Sequence, residues 1–204
     1  MVCSAPHDGS GDGTPCISSD GLELYFYSSR PGGLGGRDLW SASRSSIDGT
    51  FSAALPLAVL NGSNDDNFPW LSADGLTLLF NSTRSGTYDL YIATRTKPGG
   101  DFSPPSSVPG VNGSSTREER AALSNDGLTI YFVSDRSGGV GGKDIWMGTR
   151  TSAQGTFASF TNLKALNSTL TDMDVSLSRD EAEIVFVSNR VGDSRIYRST
   201  RTCQ

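Results

Sequence analysis

One stretch of this chain occurs four times, and its spacing limits the folds that the chain can adopt. The clearest copy, residues 122–146, reads ALSNDGLTIYFVSDRSGGVGGKDIW. A serine at the same place in each copy recurs at intervals of 54, 52 and 54 residues: Ser18, Ser72, Ser124 and Ser178. A fixed period of this size is typical of repeat architectures. The sequence therefore predicts four similar structural units.

Each copy contains a strand pattern. In the third copy, Leu128, Ile130 and Phe132 alternate with residues of the opposite face, which also carries Tyr131. This period of two, with aromatic and β-branched residues, predicts a strand that is apolar on both faces and lies between two layers. Asp-Gly before the strand predicts a hairpin turn. The fourth copy has Asp180-Glu181 there instead, which predicts a turn of another type.

The rest of each period predicts a complete sheet. Ser-x-Arg and a glycine-containing loop follow the first apolar strand, and a second one such as DIWMGTR comes next. Weaker patterns at Ala54–Leu60 and Phe160–Leu166 predict a last strand. The loops PGGLGG and SGGVGG are interpreted as hairpin loops, because a phosphate-binding loop needs a strand-to-helix junction. Each period thus predicts four antiparallel strands.

A single four-stranded sheet cannot bury both of its faces, but four such sheets around an axis can, as in a β-propeller. The pattern Asp-Gly-Leu…Phe-x-Ser-x-Arg-x-Gly…Asp-Ile-Tyr/Trp also resembles the TolB-type, WD-like propeller repeat over residues 14–201. We therefore predict an all-β, four-bladed β-propeller forming one domain, residues 1–204. Its blade repeats cover approximately 14–60, 68–111, 120–166, and 174–201 with 2–7.

The ends of the chain predict how the propeller closes. The fourth copy stops after its third strand, and Val2–His7 align with the outer-strand residues Pro56–Asn61. We expect this N-terminal strand to complete the last blade and remove an open edge. Closure would bring Cys3 and Cys203 into one blade, where a disulfide is one of two alternatives. Cys16, within a repeat, is interpreted as a small buried apolar residue.

Composition narrows the partners. The 22 acidic and 17 basic residues give a net charge of −5, which argues against a nucleic-acid partner. No apolar run is long enough to span a membrane. Four blades are few for a propeller, so pairing with a second copy is an alternative to the expected monomer.

An acidic residue stands six positions before each repeated serine: Asp12, Asp66, Glu118 and Asp172. In a propeller these positions would rim the mouth of the central channel. Carboxylates gathered there suit a cation, and oxygen ligands favour Ca²⁺ over zinc. The alternative is that each carboxylate accepts hydrogen bonds from backbone N–H groups.

The same rim supplies the candidate ligand-binding residues. Acidic and aromatic side chains lie together on two or three of the innermost strands: Asp65, Asp66, Phe68, Trp70, Glu119 and Asp174. An aromatic side chain near the mouth could stack on a sugar or anchor a peptide side chain, although core packing is the alternative for Trp70.

Two repeated arginine sets are interpreted as structural. They are Arg30, Arg84, Arg136 and Arg190, and Arg44, Arg95, Arg150 and Arg201. The available acidic partners at the start of the third strands are Asp38, Asp89 and Asp144. A functional anion site would be expected in one blade rather than in all four.

These patterns support three functions. The first is a non-catalytic, extracytoplasmic binding module that presents the acidic mouth to a protein, peptide or envelope component. The TolB resemblance implies the bacterial envelope, hence a periplasmic or secreted location. The second is a carbohydrate- or small-ligand-binding propeller. The third is a hydrolase or lyase that uses the rim carboxylates, although no activated nucleophile is visible.

Overall fold

The computed structural model describes residues 11–200, which form fifteen β-strands and no helix. The first sheet contains β1 (Gly13–Ile17), β2 (Glu23–Ser28), β3 (Asp38–Ser43) and β4 (Leu55–Pro56). The second contains β5 (Asp66–Leu71), β6 (Thr77–Ser82), β7 (Asp89–Thr94) and β8 (Ser106–Ser107). The third contains β9 (Glu118–Leu123), β10 (Thr129–Ser134), β11 (Asp144–Thr149) and β12 (Ala158–Asn162). The fourth contains β13 (Asp172–Leu177), β14 (Glu183–Val191) and β15 (Asp193–Thr200).

Strand order in every sheet follows the order of the chain, and the paired strands with a recorded register are antiparallel. This confirms the predicted all-β class and the predicted blade, a name we use below for each sheet. Contacts divide the chain into two compact units. Unit 1 comprises residues 11–86 and 91–106, and unit 2 comprises residues 87–90 and 107–200 of the described chain.

Each first hairpin is closed by the same serine–aspartate turn. In the first blade, Ser18 Oγ donates to Asp20 Oδ1 at 2.6 Å, and the same carboxylate oxygen accepts the Leu22 N–H at 2.9 Å. Gly21 has a φ of 73°, a left-handed conformation that glycine adopts without a Cβ clash. The repeated Ser-x-Asp-Gly motif is therefore a turn signal with a local hydrogen-bonding cause.

The prediction of a different turn in the fourth blade was wrong. Glu181 adopts a φ of 57° and donates its N–H to the Ser178 carbonyl at 2.9 Å, as Gly21 does to Ser18 at 2.8 Å. The Ser178 hydroxyl also binds Asp180, at 2.6 Å. The serine–aspartate hydrogen bonds thus impose the turn, and the non-glycine residue accepts the left-handed conformation.

The outermost strands are shorter than the sequence predicted, because an asparagine side chain replaces part of the ladder. After β4 the chain turns, and Asn61 Oδ1 accepts the Leu39 N–H at 2.8 Å while Asn61 Nδ2 donates to the Leu39 carbonyl at 3.0 Å. Asn112 pairs with Leu90 and Asn167 with Ile145 in the same way. These asparagines belong to Asn-x-Ser/Thr sequences, and their amides serve the backbone.

Each unit has an apolar core between consecutive blades. In unit 1 the core includes Tyr25, Leu60, Leu78 and Phe102. Cys16 is half-buried against it, and its Sγ accepts the Leu71 N–H at 3.3 Å. In unit 2 the core is built around Tyr131 and Phe186. Among residues 11–200 there is no helix with the length and apolar character that a membrane crossing requires.

Two predictions fall on residues outside the described range. They are the closing strand Val2–His7 and the pairing of Cys3 with Cys203. Both stay predictions, as do the single-domain boundaries and the monomeric state.

Candidate functional site

The repeated acidic residue on the first strand of each blade forms an ion pair with the arginine that follows the second strand. The distances from arginine Nη2 to the carboxylate oxygen are 3.0, 2.7, 3.2 and 2.9 Å, for Arg30–Asp12, Arg84–Asp66, Arg136–Glu118 and Arg190–Asp172. The side chains of Asp66, Glu118 and Asp172 are fully buried. Charges removed from water to this degree need a partner, and the arginine supplies it.

The second carboxylate oxygen binds the backbone. Asp66 Oδ2 accepts the Gly62 N–H at 2.7 Å, and Glu118 Oε2 accepts the Gly113 N–H at 2.9 Å. At Asp172, burial would raise the pKa, but hydrogen bonds from Ser188, from Ser168 and from Arg190 together lower it below the ordinary value. Asp172 is therefore held in its ionised form.

The sequence gave these arginines the wrong partners. Asp38 and Asp144 serve the glycine-rich loops instead: Asp38 Oδ2 accepts the N–H groups of Leu34 and Gly35, each at 3.0 Å. A Cβ on Gly35 would lie 2.1 Å from the Asn64 carbonyl oxygen, so the loop needs glycine where it approaches the next blade. The loops connect two strands, as predicted.

The second arginine set is structural, as predicted for the described members. Nε of Arg44, Arg95 and Arg150 donates to the carbonyl of the Asp-Gly glycine in its own blade, at 2.8, 2.6 and 2.7 Å. Arg95 also binds Glu23 with both terminal nitrogens, at 3.0 and 2.6 Å. Burial would raise the pKa of Glu23, but the bonds from Arg95 hold it below its ordinary value.

This geometry tests the calcium prediction for Asp12, Asp66, Glu118 and Asp172. The carboxylates face arginine and N–H donors, which repel a cation and occupy the lone pairs that would bind it. Within residues 11–200, no group of three or more His, Cys, Asp or Glu side chains is arranged to hold a metal ion. The hydrogen-bonded alternative therefore fits these side chains better, and calcium binding stays an untested prediction.

A second repeated feature lies two residues after each acidic residue. Here a non-glycine residue has a left-handed backbone with φ of 45°, 53°, 55° and 58°, at Thr14, Phe68, Arg120 and Asp174. Each lies where the pairing register of the first strand shifts, as in a β-bulge. All four side chains are partly exposed. The backbone at this position is thus repeated, while the side chain differs in every blade.

In unit 1, this bulge position belongs to an aromatic and charged patch. The Phe68 ring meets the Tyr27 ring edge to face, with centroids 5.9 Å apart. The exposed Arg37 guanidinium lies 5.4 Å from the Tyr27 ring centroid. The Arg37 N–H in turn donates to Asp65 Oδ1 at 3.1 Å. We call Tyr27, Arg37, Asp65 and Phe68 the unit-1 patch.

Polar and aromatic neighbours lie beside the unit-1 patch on β5. Asn67 is fully buried, and both polar atoms of its amide lack a protein partner among the described residues. Trp70 is half-buried and pairs with Leu79 across the sheet. Its position agrees with packing and leaves part of the indole accessible.

In unit 2, the corresponding positions form an ion-pair network. Lys143 Nζ lies 3.0 Å from both carboxylate oxygens of Glu119, which is 4% exposed. Arg120 forms a salt bridge with Asp174, and its Nε lies 4.0 Å from Glu119. Two carboxylates and two cations therefore satisfy one another here.

The structure brings together Asp65 and Phe68 in unit 1, and Glu119 and Asp174 in unit 2. Sequence reasoning missed Tyr27, Arg37, Arg120 and Lys143, because it took only acidic and aromatic residues of the first strands. A signal was available for two of them, since Arg37 and Lys143 both directly precede the aspartate that begins a third strand.

Comparisons with known proteins identify the fold. No known family profile and no curated protein sequence matches the chain. TolB from Acinetobacter baumannii superimposes with a TM-score of 0.63 at 19% identity, covering 92% of this chain and 40% of TolB. The endo-arabinase from Bacteroides thetaiotaomicron gives 0.61 at 14% identity, covering 93% of this chain and 75% of the enzyme. Prolyl oligopeptidase B from Galerina marginata gives 0.59 at 15% identity, covering 97% and 25%.

These likenesses confirm the predicted TolB-type β-propeller fold, with four blade sheets in the described residues. At such identities they establish the fold and leave the activity open. The chain spans 40% of the length of TolB from Acinetobacter baumannii and 58% of the putative TolB from Agrobacterium tumefaciens.

Proposed function

We propose that this TolB-type propeller chain is a non-catalytic, extracytoplasmic binding module whose unit-1 patch contacts a protein or peptide. The observation that carries the proposal is the left-handed position of the first strands, which holds a different, partly exposed side chain in each blade. The repeated acidic residues are committed to arginines, so the variable position is the better candidate for ligand contact.

The energetic argument starts from the backbone. A non-glycine residue in the left-handed region costs on the order of 1–3 kcal/mol, and such strain concentrates at functional sites. A β-bulge re-aims the side chain that it carries. Phe68 therefore occupies a conformation that a glycine would adopt at lower cost, and it exposes part of an aromatic ring there.

The chemistry of the unit-1 patch suits a polypeptide. The Phe68 and Tyr27 rings provide apolar contact area, and the Arg37 guanidinium and the Asp65 carboxylate provide donors and acceptors at its edge. Tyrosine and arginine are enriched among residues that dominate interface energetics. The likeness to TolB supports an envelope location for such a partner.

Capture from a bacterial envelope extract tests the proposal. Immobilised wild-type chain should retain a partner that Phe68→Gly and Arg37→Ala lose by tenfold or more. Glycine suits the φ of 53° at position 68, so Phe68→Gly removes the ring without straining the backbone. Ile47→Ala is the matched control, because Ile47 is an exposed apolar residue on a different loop. Equal capture by all four proteins would contradict the proposal.

Carbohydrate binding is a second candidate for the same patch. Aromatic rings flanked by a carboxylate and a guanidinium also suit a sugar, and Trp70 lies two residues from Phe68. The endo-arabinase likeness is compatible with such a ligand. A glycan array separates the candidates: binding that requires Phe68 or Trp70 would replace the polypeptide with a glycan.

A hydrolase or lyase that uses the rim carboxylates has less support. Asp66 and Glu118 are fully buried and ion-paired, whereas a general acid or base must reach its substrate. Substrate turnover by the chain that is abolished in Asp66→Asn and Glu118→Gln, with folding intact, would favour this reading over a binding module.

A further inference from the structure

An aromatic side chain plugs the core between the two blades of unit 1. Phe102 is 7% exposed, and its ring meets the Tyr25 ring edge to face at 6.1 Å. Phe102 follows Arg95 by seven residues, and the Arg95 guanidinium lies 4.7 Å from the Phe102 ring centroid. The same spacing and stacking recur in Arg44–Phe51 at 4.7 Å and Arg150–Phe157 at 4.4 Å. The loop after each third strand therefore carries a phenylalanine under an arginine.

The corresponding place in unit 2 lacks such a plug among the residues that the structure describes. A gap of about 200 Å³ opens there between the third and fourth blades. Its apolar lining is Tyr131, Met147, Leu163, Leu166, Leu177 and Ile184. Tyr131 occupies the position of Tyr25 in the repeat. We call this space the unit-2 gap.

Burial shows that the core around the unit-2 gap is incomplete. In unit 1, the equivalent residues Leu60, Leu71 and Leu78 are 0%, 8% and 0% exposed. In unit 2, their counterparts Leu166, Leu177 and Ile184 are only partly buried. The difference lies where Phe102 would be, because the remaining residues of the two cores are of similar type. An apolar cavity of about 150 Å³ is large enough to bind benzene, so the unit-2 gap has room for one phenyl ring.

The mouth of the unit-2 gap is acidic. Glu181 and Glu183 both line it, and Glu183 lies 3.2 Å from Arg198, on side chains that are 35% and 66% exposed. An exposed pair of this kind is weak and leaves the mouth able to receive another cation. A ring that enters with a basic residue nearby therefore meets both an apolar wall and a complementary charge.

We propose that the unit-2 gap is a receptor for one phenylalanine side chain of a partner polypeptide that carries a basic residue close to that phenylalanine. The protein itself shows the occupant, because Phe102 with Arg95 fills the equivalent space in unit 1. This surface is separate from the unit-1 patch, so either proposal can fail without the other.

A peptide of residues 95–103, RTKPGGDFS, is the probe, and it is titrated into the full chain. Methyl NMR of methionine provides the readout, because Met147 lines the unit-2 gap and Met173 is absent from its lining. We expect saturable shifts of the Met147 methyl signal. The same peptide with Phe102→Ala should bind at least tenfold more weakly, since a buried phenyl group contributes about 1.5–3 kcal/mol and 1.4 kcal/mol is tenfold.

A filling variant provides the second arm. Ala182 lines the unit-2 gap, whereas the other blades carry leucine at that repeat position, in Leu22, Leu76 and Leu128. Ala182→Leu should therefore fold and weaken binding of the wild-type peptide. The proposal is overturned if the Met147 signal does not respond at millimolar peptide, or if the alanine peptide binds equally well. Because the peptide control leaves the protein unchanged, a folding defect of Ala182→Leu would not rescue the proposal.

Discussion

Arg84 Nη2 lies 2.7 Å from Asp66 Oδ1, eighteen residues earlier in the chain, and the same nitrogen lies 2.7 Å from the Leu60 carbonyl oxygen. One guanidinium thus holds the first strand of its blade and the turn that ends the preceding blade. The same separation of eighteen residues recurs in the other three acidic–arginine pairs. This relationship makes the repeated acidic residues part of the frame.

Asp66→Ala should lower the free energy of unfolding by about 3 kcal/mol. The substitution leaves the Arg84 charge without its partner and the Gly62 N–H without its acceptor, and breaking one side of a buried pair typically costs 3–5 kcal/mol. Urea unfolding followed by circular dichroism measures the change. Asp101→Asn, at an exposed site, is the control and should change stability by less than about 0.5 kcal/mol. Similar values for both variants would refute the structural role of Asp66.

Asn61→Ala should lower the free energy of unfolding by about 1–3 kcal/mol, because it leaves the Leu39 N–H without its acceptor in the core. Asn64→Ala, three residues later and exposed, is the matched control and should be nearly neutral. Chemical unfolding of both variants provides the comparison. A neutral Asn61→Ala would mean that the backbone at Leu39 finds another partner.

Glu181→Gly should raise the free energy of unfolding by about 0.5–1 kcal/mol, because glycine adopts the φ of 57° without a Cβ clash. Gly127→Ala, at the same turn position of the third blade with a φ of 69°, should lower it by about 1 kcal/mol. Thermal and urea unfolding of the two variants give opposite signs if the turns are equivalent. Destabilisation by Glu181→Gly would show that the bond from the Asn125 N–H to Glu181 outweighs the strain.

Stability should fall with pH below about 4. The folded-state pKa of Asp172 lies below its ordinary value of 3.8, so between these two values the unfolded chain binds more protons. Its contribution is therefore fully present above the unfolded pKa and is lost as the pH falls through the folded pKa. Urea midpoints at pH 7, 5, 4 and 3 measure this, and Asp172→Asn should show a shallower decline. An identical decline in that variant would assign the acid sensitivity to other groups.

Chelation should leave the melting temperature unchanged, because the oxygens of Asp66, Glu118 and Asp172 are bound by arginine and N–H donors. A ligand that binds only the folded state must raise stability, so a structural calcium ion would reveal itself. Thermal melting with EDTA, followed by excess Ca²⁺, is the measurement. A midpoint that falls with EDTA and recovers with Ca²⁺ would restore the calcium prediction.

Local patterns were enough to predict the sheets. The Ser-x-Asp-Gly motif forms its turn through hydrogen bonds within a few residues, and the alternation around Phe132 records a strand with two buried faces. The same locality explains the error at Glu181, where the absence of glycine was given more weight than Ser178 and Asp180. Strand length at β4 was also overestimated, because the role of Asn61 depends on a residue 22 positions away.

The sequence by itself determined the number of repeats, the order of strands within each blade and the type of loop between them, because those features follow from short-range periodicity and turn chemistry. Only the tertiary structure decided which carboxylate each arginine binds, since Asp38 and Asp66 are equally plausible partners on paper. It also decided that Phe68 and Asp174 lie at left-handed bulges. Both outcomes depend on the register between strands and on the approach of neighbouring blades, which side-chain type and spacing do not specify.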